Sequence, residues 1–161
     1  MENKNNSYPI TQKGLDILLN ELKEYKEVKK PNIISKVAEA RELGDLKENS
    51  EYHASRDEYS FIEGYIGYLE GIQAIANIIN PKENNSDSVS FGSMVKIKNL
   101  INDSEREVEI LSEYETKHIK NSISNTSPIG IALIGKKVND CVSVTLPIGE
   151  VEYQIIKINN L

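Results

Sequence analysis

The sequence predicts two domains, an N-terminal antiparallel α-helical coiled-coil hairpin followed by a small α+β domain. Three observations predict it. Apolar residues recur at steps of three and four through the first half. From Phe91 the period changes to two, as strands require. Between the halves lies PKENNSDS, a polar run headed by Pro81, which stops a helix. The expected boundaries are 1–80 for the hairpin, 81–89 for a linker and 90–161 for the α+β domain.

The first helix is expected to start at Thr11, a good N-cap, with Ile10 and Leu15 at the spacing of a hydrophobic staple. Leu15, Leu18, Leu22 and Tyr25 form one stripe. Pro31 ends or kinks the helix, because it lacks an N–H and its ring clashes with the preceding turn. The pattern resumes at Ile33 or Ile34, continues through Val37, Ala38 and Ala40, and runs out at Leu43-Gly44. In the second helix Ile62, Tyr65, Leu69, Ile72, Ala76 and Ile79 form a heptad seam. Two such helices with a short break between them make an antiparallel hairpin. From Thr11 to Leu43 the arm would extend roughly 50 Å at 1.5 Å per residue, with its tip at residues 44–49. Gly64, Gly67 and Gly71 interrupt the second helix, either to let the helices approach closely or at the expense of a looser arm.

In the second half, residues 94–98, 107–111, 141–146 and 151–158 read as strands, and Pro128–Lys137 as a short helix with proline in its first turn. The result is a small sheet with one helix on it.

With 39% hydrophobic and 27% charged residues, the chain is a foldable protein and not a disordered one. A net charge of −6 makes the chain a poor general binder of nucleic acid, so any such contact must come from a local basic patch. Cys141 is the only cysteine. No intramolecular disulfide can form, and its place in the alternating run CVSVTL is that of a buried structural thiol. The start MENKNNSYPI lacks a basic-then-apolar signal pattern, and no apolar run is long enough to span a bilayer. A cytoplasmic location is expected.

The residues that carry chemistry gather at the tip. Asp45 and Glu48 stand three apart beside the turn, with Arg41, Lys47 and Arg56 around them. Two exposed carboxylates at this spacing can share one Mg²⁺, which takes one or two protein carboxylates and fills its other sites with water and phosphate. The same pair is also a capping box, with Asp45 as N-cap of the second helix and Glu48 at N3; one carboxylate can serve both ends. His53 and His118 have no His or Cys at ligand spacing. No phosphate loop and no nucleophile–base constellation is present, so the chain has no self-contained active site.

The run ARELGDLKENSEYHASRDE (residues 40–58) resembles the tip of the bacterial transcript-cleavage elongation factors of the Gre family almost residue for residue. KKPNIISKVAEA before it, and SPIGIALIGKK and GEVEYQIIKI after it, resemble further family segments in the same order. The resemblance implies an FKBP-like fold for the C-terminal domain. It also implies that the coiled coil enters the secondary channel of RNA polymerase, where Asp45 and Glu48 help hold a Mg²⁺ ion of the polymerase active centre. The isolated protein would bind no metal and be no enzyme by itself. It would stimulate the polymerase's own cleavage of backtracked nascent RNA and so rescue arrested complexes. By matching position, Arg41 and Arg56, with Lys47 as a weaker candidate, contact the RNA 3′ segment. Ser127, Pro128 and Ile129 lie in the segment that docks on polymerase, and the free protein is a monomer. Two departures stand out. Gly130-Ile131 occupies the place of a usual basic residue, and Gly67 and Gly71 replace better helix formers.

Overall fold

The computed structural model describes residues 6–46, 48–83 and 86–160. Its contacts divide into two compact bodies, Leu15–Ala76 and the remainder, in which residues up to Gly14 group with those from Asn77 onward.

The first body is a helical hairpin. Helix α1 (Gln12–Glu24) passes through a single π-turn (Tyr25–Lys29) into α2 (Lys30–Glu42). Pro31 therefore neither ends the helix nor replaces it by a loop. The Lys30 N–H bonds to the Tyr25 carbonyl, five residues back, and this wider turn absorbs the proline that a regular α-turn would reject. Helix α3 (Ser50–Ile75) returns alongside and buries Tyr52, Ser55, Ile62, Ile66, Leu69 and Ile72. Across from it Leu18, Leu22, Ile33 and Ala40 are buried. Ion pairs Lys26–Glu70, Lys30–Glu63 (2.6 Å) and Lys36–Glu58 (3.9 Å) cross between the helices, each spaced about the turn. They fix an antiparallel register more than they add stability, since exposed pairs contribute ~0–1 kcal/mol each.

Two features of the expected seam are corrected. Ile66 is buried where Tyr65 was expected, and Tyr65 lies half-buried beside the seam, 4.7 Å from the Tyr25 ring and stacked at 6.0 Å on Phe61. The helix also stops at Ile75, because Ala76 turns extended (φ −60°, ψ 129°) and opens a strand. At Gly64, Gly67 and Gly71 no atom lies within 4 Å of where a Cβ would stand, so close helix approach is not their purpose.

In the second body β1 (Tyr8–Ile10) pairs with β2 (Ala76–Ile78). The main sheet contains β3 (Ser93–Asn99), β4 (Glu105–Leu111), β5 (Ser122–Ser124), β6 (Cys141–Leu146) and β7 (Gly149–Asn160), in the order β5-β4-β3-β7-β6. All neighbours are antiparallel except the parallel pair β4–β5. Helix α4 (Glu113–Thr116) follows β4, and α5 (Pro128–Leu133) is shorter than expected, with Gly135 in the left-handed region (φ 82°) just after it.

Strand alternation builds the core. Val95 and Ile97, Val108 and Ile110, Val142 and Val144, and Val151, Tyr153 and Ile155 point inward and pack with Leu133. The same parity places Cys141 outward. It is exposed on an edge strand, and the expectation of a buried thiol is overturned. The last part of the expected linker belongs to this body as well. Val89 is buried in the core, its N–H bonds to the Lys136 carbonyl at 2.8 Å, and Asn160 Nδ2 donates to the Ser86 carbonyl at 2.8 Å.

Besides the β1–β2 pairing and the bond that the Tyr114 N–H donates to the Tyr8 hydroxyl (3.0 Å), a buried carboxylate fastens the N-terminal segment to this body. Glu115 is fully buried. Its Oε2 accepts from the Ser112 N–H (3.1 Å) and hydroxyl (2.7 Å), making the capping box of α4. Its Oε1 accepts from the Thr11 N–H (3.1 Å) and hydroxyl. The Thr11 Oγ1 in turn accepts from the Gly14 N–H at 3.0 Å, the N-cap bond expected of Thr11.

Candidate functional site at the hairpin tip

Helix α2 ends at Glu42. The Leu43 N–H bonds to the Ala40 carbonyl (3.3 Å), and Gly44 (φ 132°) reverses the chain in a conformation that side chains disfavour. The Glu48 N–H then bonds to the Asp45 carbonyl at 3.3 Å, so a tight turn draws these two residues together. Both are exposed. Lys47 lies outside the described residues.

The cap of α3 is Asn49, and the capping box expected from Asp45 and Glu48 does not form. Asn49 Oδ1 accepts from the Tyr52 N–H at 3.0 Å, and its Nδ2 donates to the Ala40 carbonyl at 2.6 Å. One side chain thus starts the second helix and ties it to the end of the first. Asp45 and Glu48 are left in the turn, outside the cap. Among the described residues no group of three or more His, Cys, Asp or Glu could hold a metal. Asp45 and Glu48 could supply at most part of a Mg²⁺ shell, with its remaining sites filled from elsewhere.

Arg41 on α2 and Arg56 on α3 come to one place. Each guanidinium carbon is 5.8 Å from the centroid of the Tyr52 ring. Hydrogen bonding from Arg41, with the charges of Arg56 and Arg41, holds the Tyr52 phenol below its ordinary pKa. The three line an open groove of about 590 Å³ with Ile34, Val37, Tyr59 and Ser60. Sequence reasoning missed Tyr52 and Asn49. Tyr52 and Arg56 are four apart, which on a helix places them on one face, and that spacing was a usable signal.

The docking candidates take three different positions. Ser127 caps α5, accepting from the Gly130 N–H (3.1 Å) and donating to the Ser124 carbonyl (2.7 Å). Pro128 is exposed, and Ile129 packs against the core. Ile131, one turn on, is 63% exposed. Gly130 is required by space, since a Cβ there would overlap the Ser124 carbonyl.

Comparison with known proteins decides the family. The model "Transcription elongation factor, N-terminal" matches residues 8–78, and "Transcription elongation factor, GreA/GreB, C-term" matches residues 83–160. The chain belongs to the GreA/GreB family of transcription elongation factors. It is 46% identical over 155 residues to transcription elongation factor GreA of Buchnera aphidicola, covering 96% of this chain and 98% of that one. Against GreA of Helicobacter pylori it is 44% identical over 153 residues, covering 95% and 93%. Among solved structures, GreA factor homolog 1 of Thermus thermophilus aligns at 26% identity with a TM-score of 0.45, covering 96% and 99%. Among the described residues no helix is long and apolar enough to cross a membrane.

Proposed function

We propose that this GreA/GreB-family chain binds RNA polymerase, inserts its hairpin into the secondary channel and stimulates the polymerase's own cleavage of backtracked RNA. The observation that carries this reading is the placement of Asp45 and Glu48: exposed, joined by a tight turn, and outside a helix cap that Asn49 supplies. A Mg²⁺ ion held there beside another metal of the polymerase would complete a two-metal site, in which one ion activates water and the other stabilises the leaving oxygen of the phosphodiester. The chain's part is to offer carboxylate oxygens at the end of a helical arm. Arg41 and Arg56 hold the phosphates of the extruded RNA 3′ segment, where guanidinium groups are well matched to phosphate. Pro128 and Ile131 present the apolar part of a docking surface near Ser127 in the second body.

Cleavage of RNA in a backtracked polymerase complex with Mg²⁺ tests this, comparing wild type with the double change Asp45→Ala, Glu48→Ala and measuring polymerase binding separately. Strong stimulation that disappears in the double variant, with binding retained, is expected. Equal cleavage by both proteins would refute the role of the carboxylates. Less cleavage than polymerase alone would make the hairpin a channel blocker.

A further inference from the structure

Two arginines on different helices share one tyrosine ring at the tip. Each guanidinium carbon lies 5.8 Å from the Tyr52 centroid, so two positive groups are gathered on one ring despite their mutual repulsion. Tyr52 is held firmly enough to serve as their reference. It is 6% exposed, and its N–H is bonded to Asn49, which is bonded to the Ala40 carbonyl immediately before Arg41. Arg56 lies one helical turn beyond Tyr52. The backbone on both sides is therefore fixed relative to the ring, while the exposed arginine side chains would otherwise sample many rotamers.

We infer that Tyr52 is a positioning residue, whose ring and phenol oxygen gather Arg41 and Arg56 into one phosphate-binding pair. This rests on the proposed role of the two arginines in holding RNA. Tyr52 touches the arginines and not the reacting atoms. Its phenol oxygen is the part that a purely packing role does not need. Arg41, Arg56 and, on the same helix as Tyr52, Tyr59 line the same groove, and the His53 ring centroid is 5.7 Å from that of Tyr52.

The test is Tyr52→Phe, which keeps the ring and its packing and removes the phenol oxygen. Cleavage of backtracked RNA is measured against factor concentration for this variant, for Arg41→Ala plus Arg56→Ala, and for all three changes together. The single variant is expected to need roughly fivefold more factor for half-maximal cleavage, the order of one cation–π or hydrogen-bonded contact, with the rate at saturation retained. Added to the arginine changes it should do nothing more. An independent readout is the Tyr52 phenol itself, followed by NMR of ring-labelled tyrosine. It should titrate below the ordinary tyrosine range and return to it in the arginine variant. If Tyr52→Phe behaves as wild type while the arginine variant is impaired, Tyr52 is packing alone and the inference fails. If the arginine variant is also unimpaired, the reading of the arginines fails first. Thermal unfolding of each variant guards against loss of fold.

Discussion

Alanine at four helical glycines should move stability in opposite directions. At Gly64, Gly67 and Gly71 the added methyl meets open space, so each change should return the helix-propensity difference of about 1 kcal/mol. The triple variant should gain roughly 2–3 kcal/mol, since methyls that touch nothing add nearly independently. Gly14→Ala should do the reverse. Its Cβ would overlap the Glu115 carboxylate, which is fully buried and bound to four donors on Thr11 and Ser112. Relief requires the carboxylate to shift away from Thr11, leaving partly buried donors at up to about 1–3 kcal/mol each. Set against the gain in propensity, the net loss should be about 1–4 kcal/mol. Urea unfolding gives the sign. Native-state hydrogen exchange assigns it, with slower exchange along α3 in the triple variant and faster exchange at Ser112–Thr116 in Gly14→Ala. A Gly14→Ala protein as stable as wild type, with unchanged exchange around Glu115, would refute the described packing. A triple variant without gain would refute the open space on α3.

Two further outcomes are expected. Burial, with the bond its hydroxyl donates to Glu21 (3.1 Å), raises the Tyr65 pKa to about 12. The folded hairpin thus favours the neutral phenol, and this contribution is complete below the unfolded value near 10 and lost as pH rises through 12. The loss should be about 2 kcal/mol, seen as a falling urea midpoint at alkaline pH that Tyr65→Phe largely removes. Asn49→Asp keeps an acceptor for the Tyr52 N–H and loses the donor to Ala40, whereas Asn49→Ala loses both. The alanine variant should therefore be less stable than the aspartate variant by about 1 kcal/mol, and equal unfolding midpoints would show that the cap bond contributes nothing.

The hairpin was legible because a three-four apolar stripe has few other meanings. Its details were not. Tyr65 and Ile66 are adjacent and both apolar, so a heptad template fits either, and only packing against α2 selects Ile66. Pro31 has one sequence reading and two structural outcomes, and the π-turn is the second. The strands of the C-terminal body announced themselves by alternation, whereas β1, β2 and β5, three residues each, are too short to show a period. Cys141 was placed on the wrong side because an alternating run does not reveal which parity faces the core. At the tip, Asp45 and Asn49 are both good caps, and what selects Asn49 is its second bond, to Ala40, which no local pattern announces. The four charged candidates described at the tip stood in one motif. The spacing of Tyr52 and Arg56 was there to be read, but Arg41 joins them only once both helices are in place.

The π-turn at Tyr25–Lys29 also sets the phase of the arm. A π-turn is what one inserted residue makes of an α-helix. It takes up the extra residue locally, so that Leu18 and Leu22 before it and Ile33, Ala40 and Arg41 beyond it all keep the faces that the packed hairpin requires. Tightening this turn to α geometry with the chain length unchanged would instead rotate everything beyond it by about 100° relative to α1, leaving one group or the other facing away from α3. The arm therefore behaves as a dial with one permitted setting, and the π-turn is the notch that holds it there.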